Sequence, residues 1–344
     1  MKTQLLPYNK KNVAVAAEVI KNGGIVAFPT ETVYGLGANA FDARAVDKIF
    51  AAKGRPGDNP LIVHVCKKSQ IEEVACEISA DARKIIDKFW PDSLTLVLKK
   101  RDSLPPNVTA GLDTVAVRMP ASREARGFIR ACGVPLAAPS ANKSGRPSPT
   151  SALQVAEDMD GRLPVILSGR NCRVGIESTV LDLTGDAPVV LRPGIVSAAS
   201  IERVLSKRVV YLKEDAPSAK LNSPGLRYRH YAPCCEMALN LDGDREKIFA
   251  RYREAVQAGK NPVLLCGMER EENFEDAETV CLGSTDEECA RNLFGALRAL
   301  EKKTRLHHSR LDEKRRGGRQ RFKPSQKVGG QQHFLICEKG SDII

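Results

Sequence analysis

Two hydrophobic periods take turns along the first two hundred residues. Residues 13–22 (VAVAAEVIKN) place apolar positions at helical spacing and run into Gly23-Gly24, which predicts a helix closed by a glycine cap. IVAFPT follows as a short buried strand, and FDARAVDKIFAAKG predicts a second helix with Asp42 near its start and Gly54 at its end. PLIVHVC reads as a strand, SADARKIIDKFW as an amphipathic helix, and SLTLVLKK and TVAVRMP as strands. A helix over 122–132 precedes VPLAAPSA, a strand that enters a polar loop; PVILSG, STVLDL and PVVLRPG are strands, and SAASIERVL is a helix. Strands and helices interleave with a surplus of strands, so the expectation is an α/β domain over 1–212 built on a twisted mixed sheet.

The pattern stops at residues 213–235 (KEDAPSAKLNSPGLRYRHYAPCC), which carry Pro, Ser and Asn without periodicity and read as a linker. A second, smaller α/β pattern covers 236–303, with helix KIFARYREAVQAGK, strand PVLLCGM and helix DEECARNLFGALRALEKK. From 304 to 344 the chain is basic and rich in Gln and Gly, and only HFLIC has the character of a strand. This stretch buries too little apolar surface to offset its ordering entropy, so it is expected to be a loosely packed tail.

Composition sharpens this picture in four places. The chain has 344 residues, 42% of them hydrophobic and 28% charged, as in a soluble globular protein of two domains. No apolar run approaches the roughly 20 residues of a membrane span, and MKTQLLPYNKKN lacks the features of a secretory signal, so a cytoplasmic location is expected. Ten cysteines form no C-x-x-C pair, and five histidines leave a zinc site little to draw on. The net charge of +11 suggests a nucleic-acid partner until its distribution is read: eleven Lys and Arg face only Asp312 and Glu313 between Lys302 and Lys327, so about +9 sits in the tail.

Five clusters carry candidate chemistry. FPTETVYGLG (28–37) places hydroxyls, a carboxylate and two glycines after a strand, where α/β proteins put ligands or where a polar turn needs glycine. YGLGANA with Asp58 matches a G-x-G-x-x-A dinucleotide fingerprint, but its glycines do not sit at a strand-to-helix turn, and the match is set aside. KGRPGDNP (53–60), with His64 on the next strand, makes a rigid cationic turn that suits a triphosphate, although Lys53 and Arg55 also complement a helix C-terminus. Arg118 ends an apolar strand and needs a partner, either a substrate carboxylate or a protein Asp; Thr114 precedes it, and the hydroxyl loop 138–148 follows. GIESTV (175–180) with Arg192-Pro193-Gly194 is the fourth cluster. SPGLRYRHYAP (223–233) is the fifth; its aromatic and cationic side chains could stack on a base or close over phosphates.

Together these motifs resemble the YrdC-like domain of the threonylcarbamoyl-AMP synthase family in its long, two-domain form. Lys53 and Arg55 followed by Ser140 and Asn142 reproduce the family's K-x-R…S-x-N signature, SPGLRYRHYAP is similar to the segment that marks the long form, and the match spans roughly 8–233. Residues 236–300 resemble its C-terminal Rossmann-like domain, and beyond about Lys303 the likeness ends in a divergent tail or a shifted reading frame.

The resemblance implies a twisted sheet and helices forming a concave cavity that holds ATP and threonine. It implies that Thr32, His64, Arg118, Ala138 and Ser178 surround threonine, and that Arg55, Asn59, Thr114, Ser140, Ser148 and Arg192 contact ATP. Lys53, Arg55, Ser140 and Asn142 form the catalytic signature, and either Tyr228 or Tyr231 folds over the nucleotide. It further implies bicarbonate or CO2 as co-substrate, Mg2+ on the phosphates without protein ligands, and a product passed to a tRNA threonylcarbamoyl transferase; a contact of this chain with tRNA or another RNA is left open. The alternative is a non-enzymatic module that binds double-stranded RNA or tRNA by shape, which the confinement of charge to the tail disfavours.

Overall fold

The computed structural model describes residues 2–212, 236–240, 244–267, 277–311 and 334–339. Contacts divide the chain into two units, Met1–Ser144 with Ser148–His230, and Gly145–Pro147 with Tyr231–Ile344.

The first unit begins with β1 (Gln4–Pro7) and α1 (Lys10–Lys21). Asn9 caps α1 by accepting from the Asn12 N–H, and the helix buries Val13, Ala16, Ala17 and Ile20, a stripe at helical spacing. Strand β2 (Val26–Phe28) then pairs antiparallel with β3 (Gly35–Asn39). The sequence pattern left YGLGAN as loop, but it forms a strand: a Cβ at Gly37 would lie 2.9 Å from the Phe28 ring, so glycine leaves room for a large cross-strand neighbour. Helix α2 (Ala43–Lys53) starts at Asp42, which accepts from the N–H groups of Arg44 and Ala45, and ends at Gly54 in the left-handed region at φ 61°.

The unit continues with β4 (Ile62–His64), α3 (Ile71–Val74), α4 (Ala80–Phe89), β5 (Leu94–Lys99), α5 (Pro106–Thr109), β6 (Thr114–Arg118), α6 (Arg123–Cys132) and β7 (Leu136–Ala137). It closes with α7 (Ala152–Met159), β8 (Val165–Ser168), β9 (Thr179–Asp182), β10 (Val189–Arg192), α8 (Ala198–Leu205) and β11 (Val210–Tyr211). All eleven strands join one mixed sheet in the order β1-β8-β2-β3-β7-β4-β6-β5-β9-β10-β11.

What covers this sheet decides where a site can be. Alternate residues of the strands (Ala27, Leu36, Val63, Val117, Leu96, Leu181) enter one large core with α2, α4, α7 and α8. On the opposite face, α1 and α6 pack over Val26, Phe28, Leu136 and Leu167 at one end of the sheet. Further along that face, over β4, β6, β5, β9 and β10, Ile62, Val97, Ala116, Val180 and Leu191 form a separate buried cluster, which among the described residues takes its members from these strands and from Leu212, just beyond β11. The packing of α1 and α6 is confined to one end of the face, and the candidate residues of the strands gather on the rest of it.

The second unit holds β12 (Glu236–Asn240), α9 (Arg245–Gln257), β13 (Asn261–Cys266), β14 (Thr279–Cys281), α10 (Asp286–Leu311) and β15 (Phe334–Lys339), in a sheet ordered β12-β15-β13-β14. Within it Arg146 pairs with the buried Glu301 at 2.7 Å. The sequence pattern ended this domain at 303 and treated 304–344 as a tail. In the structure α10 runs on to Leu311, and β15 lies between β12 and β13, antiparallel to both. A strand of weak composition is secured there by backbone pairing on both edges, which periodicity alone does not register.

Candidate active site

The segment that follows β2, Thr30 to Tyr34, is buried throughout and acts as the hub of the site. Its backbone accepts from Val174 N at Glu31 (2.7 Å), from Gly175 N at Thr32 (3.1 Å) and from Ala141 N at Tyr34 (2.8 Å), while Tyr34 N donates to Pro149 O at 2.9 Å. Four segments far apart in sequence thus meet at one strand end. Thr30 stiffens the hub itself, bonding the Val33 carbonyl at 2.6 Å and the Thr32 hydroxyl at 2.9 Å.

Strand register builds the floor. His64 pairs with Arg118 across β4 and β6, and Arg118 with Thr95 across β6 and β5, so the three side chains form a polar row on one face of the sheet. The next row, Ile62, Ala116 and Val97, is apolar. Thr114, paired with Lys99, shares the face but lies about 13 Å along β6 from Arg118.

Arg118 is 3% exposed. The partner foreseen as a substrate carboxylate or a protein Asp is a protein Glu: one terminal nitrogen of Arg118 forms an ion pair with Glu31, the other donates to Thr32 Oγ1 at 2.8 Å, and Nε donates to Asp92 O at 3.3 Å. Those bonds use three of five guanidinium N–H groups and leave one on each terminal nitrogen. Glu31 also accepts from Ser93 Oγ at 3.2 Å and from Ser122 N, at the cap of α6, at 3.1 Å. Burial alone would raise this carboxyl; Arg118 and the backbone donors outweigh it and hold the group at about 2.

His64 is driven down to about 3 by burial and then by the charge of Arg118, and is neutral. Its Nδ1 lies 3.2 Å from the Ile62 carbonyl and so carries the proton, which leaves Nε2 as an acceptor. Ser178 hydrogen-bonds Thr95 at 2.7 Å, and Arg192 donates to the Ser178 carbonyl at 3.1 and 3.0 Å and to its hydroxyl at 3.2 Å. Ala138 continues the face from β7, its N–H bonded to Ile62 O at 2.9 Å.

The signature residues form a second assembly. Lys53, at the end of α2, is buried, and its ammonium donates to Ser140 O, to Asn142 O at 2.7 Å and to Asn142 Oδ1 at 3.4 Å. Ser140 Oγ donates to Asn142 Oδ1 at 2.6 Å, and Ser144 N to Lys53 O at 2.9 Å. Burial, then Arg55, push the Lys53 pKa down, yet serving three acceptors takes the full ammonium. Arg55 bonds the carbonyl of the buried Asn59 at 3.1 Å, and Ser148 donates to Glu177 at 2.5 Å. Tyr228 and Tyr231 fall outside the described residues.

Sequence reasoning missed four participants: Glu31, Ser93, Thr95 and Glu177. Glu31 and Glu177 stood inside quoted clusters, but nothing in their spacing identified their partners.

Residues 18–194 match the family model Sua5_yciO_yrdC, described as Telomere recombination, and 196–317 match the model for the Threonylcarbamoyl-AMP synthase C-terminal domain. The chain is 47% identical to the threonylcarbamoyl-AMP synthase of Pyrococcus abyssi over 294 residues, covering 84% of this chain and 85% of that protein. It is 43% identical to the enzyme of that name from Bacillus subtilis over 302 residues, with 87% of each covered. Among solved structures, P. abyssi Sua5 complexed with L-threonine matches with a TM-score of 0.79 and 44% identity, over 87% of this chain and 89% of that one. E. coli YciO shares the fold at a TM-score of 0.53 and 20% identity, over 58% of this chain and 99% of that one.

Proposed function

The chain belongs to the threonylcarbamoyl-AMP synthase family, and on that premise we propose that it converts L-threonine, bicarbonate and ATP to threonylcarbamoyl-AMP and pyrophosphate. The product is the activated donor for threonylcarbamoylation of a tRNA adenosine beside the anticodon, handed to a separate transferase that contacts the tRNA. The observation that carries the reading is the buried polar row on the sheet: an Arg118 with one N–H left on each terminal nitrogen, beside a neutral His64, in a chain that superposes on a threonine-bound relative.

The chemistry needs no enzyme nucleophile. The threonine amine adds to bicarbonate to give a carbamate and water, and a carbamate oxygen then attacks the α-phosphorus of ATP while the bond to pyrophosphate breaks. Arg118 takes the threonine carboxylate, Thr32 and Ser178 offer hydroxyls to its side chain, His64 Nε2 accepts a hydrogen bond, and Ala138 lines the pocket. Arg192, tied to Ser178, faces both substrates and offsets charge on the departing phosphates with Arg55. Ser140, Ser148, Asn59 and Thr114 place the nucleotide. Lys53 and Asn142 serve the reaction by holding the Ser140 loop.

Among the described residues no group of His, Cys, Asp and Glu could hold a metal ion. A Mg2+ ion would be held by the nucleotide phosphates and water, where it would offset their charge. Among these residues, too, no helix is long and apolar enough to cross a membrane, and the cysteines are free thiols, in keeping with a cytoplasmic place of work.

The test is pyrophosphate release by the full chain with threonine, bicarbonate and ATP, each omitted in turn. Release should require all three and yield a threonine-containing adenylate by mass spectrometry. Release without threonine would sink the assignment.

A further inference from the structure

Glu31 has no role in the substrate contacts above, yet its carboxylate is buried beside them and held by three donors. Its side chain and that of Arg118 are 5% and 4% exposed. The carboxylate receives Arg118 and Ser93 on one oxygen and the Ser122 N–H, at the start of α6, on the other. A group held from three elements keeps its place when a ligand arrives, and in so dry a setting its charge acts on that ligand with little screening.

Arg118 contributes one positive charge, Glu31 one negative, and His64 none, because burial and Arg118 keep it neutral; Arg126 of α6 also acts on Glu31, but it is only partly buried and is bonded to the carbonyls of Pro120 and Ala121. Thr32, Thr95 and Ser178 are uncharged. The fully buried charges of the amino-acid end therefore balance, whereas the nucleotide end sets Lys53, Arg55 and Arg192 against Asp158 and Glu177 and keeps an excess of positive charge. An unbalanced Arg118 would attract any small carboxylate, and equally the phosphates meant for the other end. A balanced pair favours a ligand that carries both signs.

We propose that Glu31 sets the charge specificity of the amino-acid pocket: by offsetting Arg118 it makes the pocket select a zwitterionic amino acid over a carboxylate of the same shape that lacks the ammonium group. This rests on the functional reading above, in which Arg118 receives the threonine carboxylate. Glu31 touches Arg118 rather than the reacting atoms and is a specificity-determining residue, not a catalytic one. Its negative charge attracts the ammonium group and weakens the hold on a lone anion, so removing it changes the two affinities in opposite directions.

The probes are L-threonine and (R)-3-hydroxybutanoate, which is threonine without its amino group; the anion is scored as an inhibitor of threonine-dependent pyrophosphate release and by calorimetry. The wild-type chain should bind threonine at least about tenfold more tightly than the anion. In Glu31→Gln, which keeps shape and acceptor but loses charge, that preference should fall by about tenfold or more. Glu31→Asp should retain the preference even where both affinities weaken, a distinction that a merely structural role would not produce. Equal binding of the two ligands by the wild type would overturn the proposal without recourse to any variant, which covers the case of a Glu31→Gln chain that fails to fold. An unchanged preference in folded Glu31→Gln would also overturn it while leaving the enzymatic reading intact. Absence of threonine-dependent release in the wild type would overturn both.

Discussion

Buried charge at single residues governs both acid stability and turnover. Glu31 sits at about 2 against an ordinary value near 4.3, because Arg118 and backbone donors outweigh the cost of its burial. Its folded pKa lies below its unfolded one, so its contribution is complete above about pH 4.3 and is lost as pH falls towards 2. That contribution is on the order of 3 kcal/mol. Acid unfolding followed by circular dichroism should show this loss in the wild type, and Glu31→Gln should be less stable at pH 7 while its stability changes less over that window. A second expectation concerns the signature cations. Lys53→Met removes an ammonium that serves three acceptors in the 140–142 loop, and should lower turnover on the order of a hundredfold together with thermal stability. Arg55→Ala should instead raise the KM for ATP with a smaller loss of melting temperature, since its bond to Asn59 lies within its own turn whereas Lys53 joins residues 87 and 89 positions away. Equal effects of the two substitutions on stability would contradict this division. Third, a Cβ at Gly194 would lie 2.4 Å from Thr179 N and 2.8 Å from both the Glu177 oxygen and the Ser178 carbonyl carbon. Backbone cannot swing aside, so Gly194→Ala should displace Ser178 from Thr95 and Arg192 and cut activity about tenfold or more, with a lower melting temperature.

At the scale of elements, edges and ends carry the consequences. The cap residues Asn9, Asp42, Ser79, Ser122, Ser151 and Ser197 each receive a backbone N–H at the start of their helices, and Ser122 also places its own N–H on Glu31. One cap thereby joins the packing of α6 to the charge balance of the site. In the second unit the decisive element is β15, which holds β12 and β13 apart and bonds both. Ending the chain at residue 332 should expose the facing edges of β12 and β13, and amide exchange across 236–240 and 261–266 should accelerate by orders of magnitude. Unchanged protection in those strands would show that the sheet closes without β15.

Across the whole molecule, the candidate side chains lie on the part of the sheet face that Leu212, the last described residue before 213–235, also packs against. Leu212 bonds the Val190 carbonyl at 3.0 Å and packs on the apolar row that adjoins Arg118 and His64. Truncation after Leu221 retains every described side chain of the site but removes the Arg- and Tyr-rich segment 223–233. Pyrophosphate release should then fall sharply, measured against the full chain at saturating ATP. Full activity in the truncated protein would make that segment a passive spacer.

Much of this was legible in the primary structure, and the reasons are local. Hydrophobic period, Asp42 and Gly54 delimit α2 because capping and periodicity act within one helix. Alternation along TVAVR and LIVH identifies strands because neighbouring side chains on a strand point to opposite faces. The ordered motifs identify the family because they are spelled out in the chain. Other features depended on distance in sequence. The partner of Arg118 stands 87 residues away, the acceptors of Lys53 are 87 and 89 away, and Ser178 meets Thr95 across 83. Strand register and helix cover bring these groups together, and neither is written in local periodicity. YGLGAN pairs as a strand because Phe28 needs the space that Gly37 leaves. Phe334–Lys339 becomes the inner strand of a sheet because two edges compete for its backbone. The sequence by itself determined which elements form and which family they compose. Only the tertiary structure decided which buried charges meet, because the desolvation that makes Glu31 and Arg118 interact strongly exists only once the sheet and α6 have closed around them.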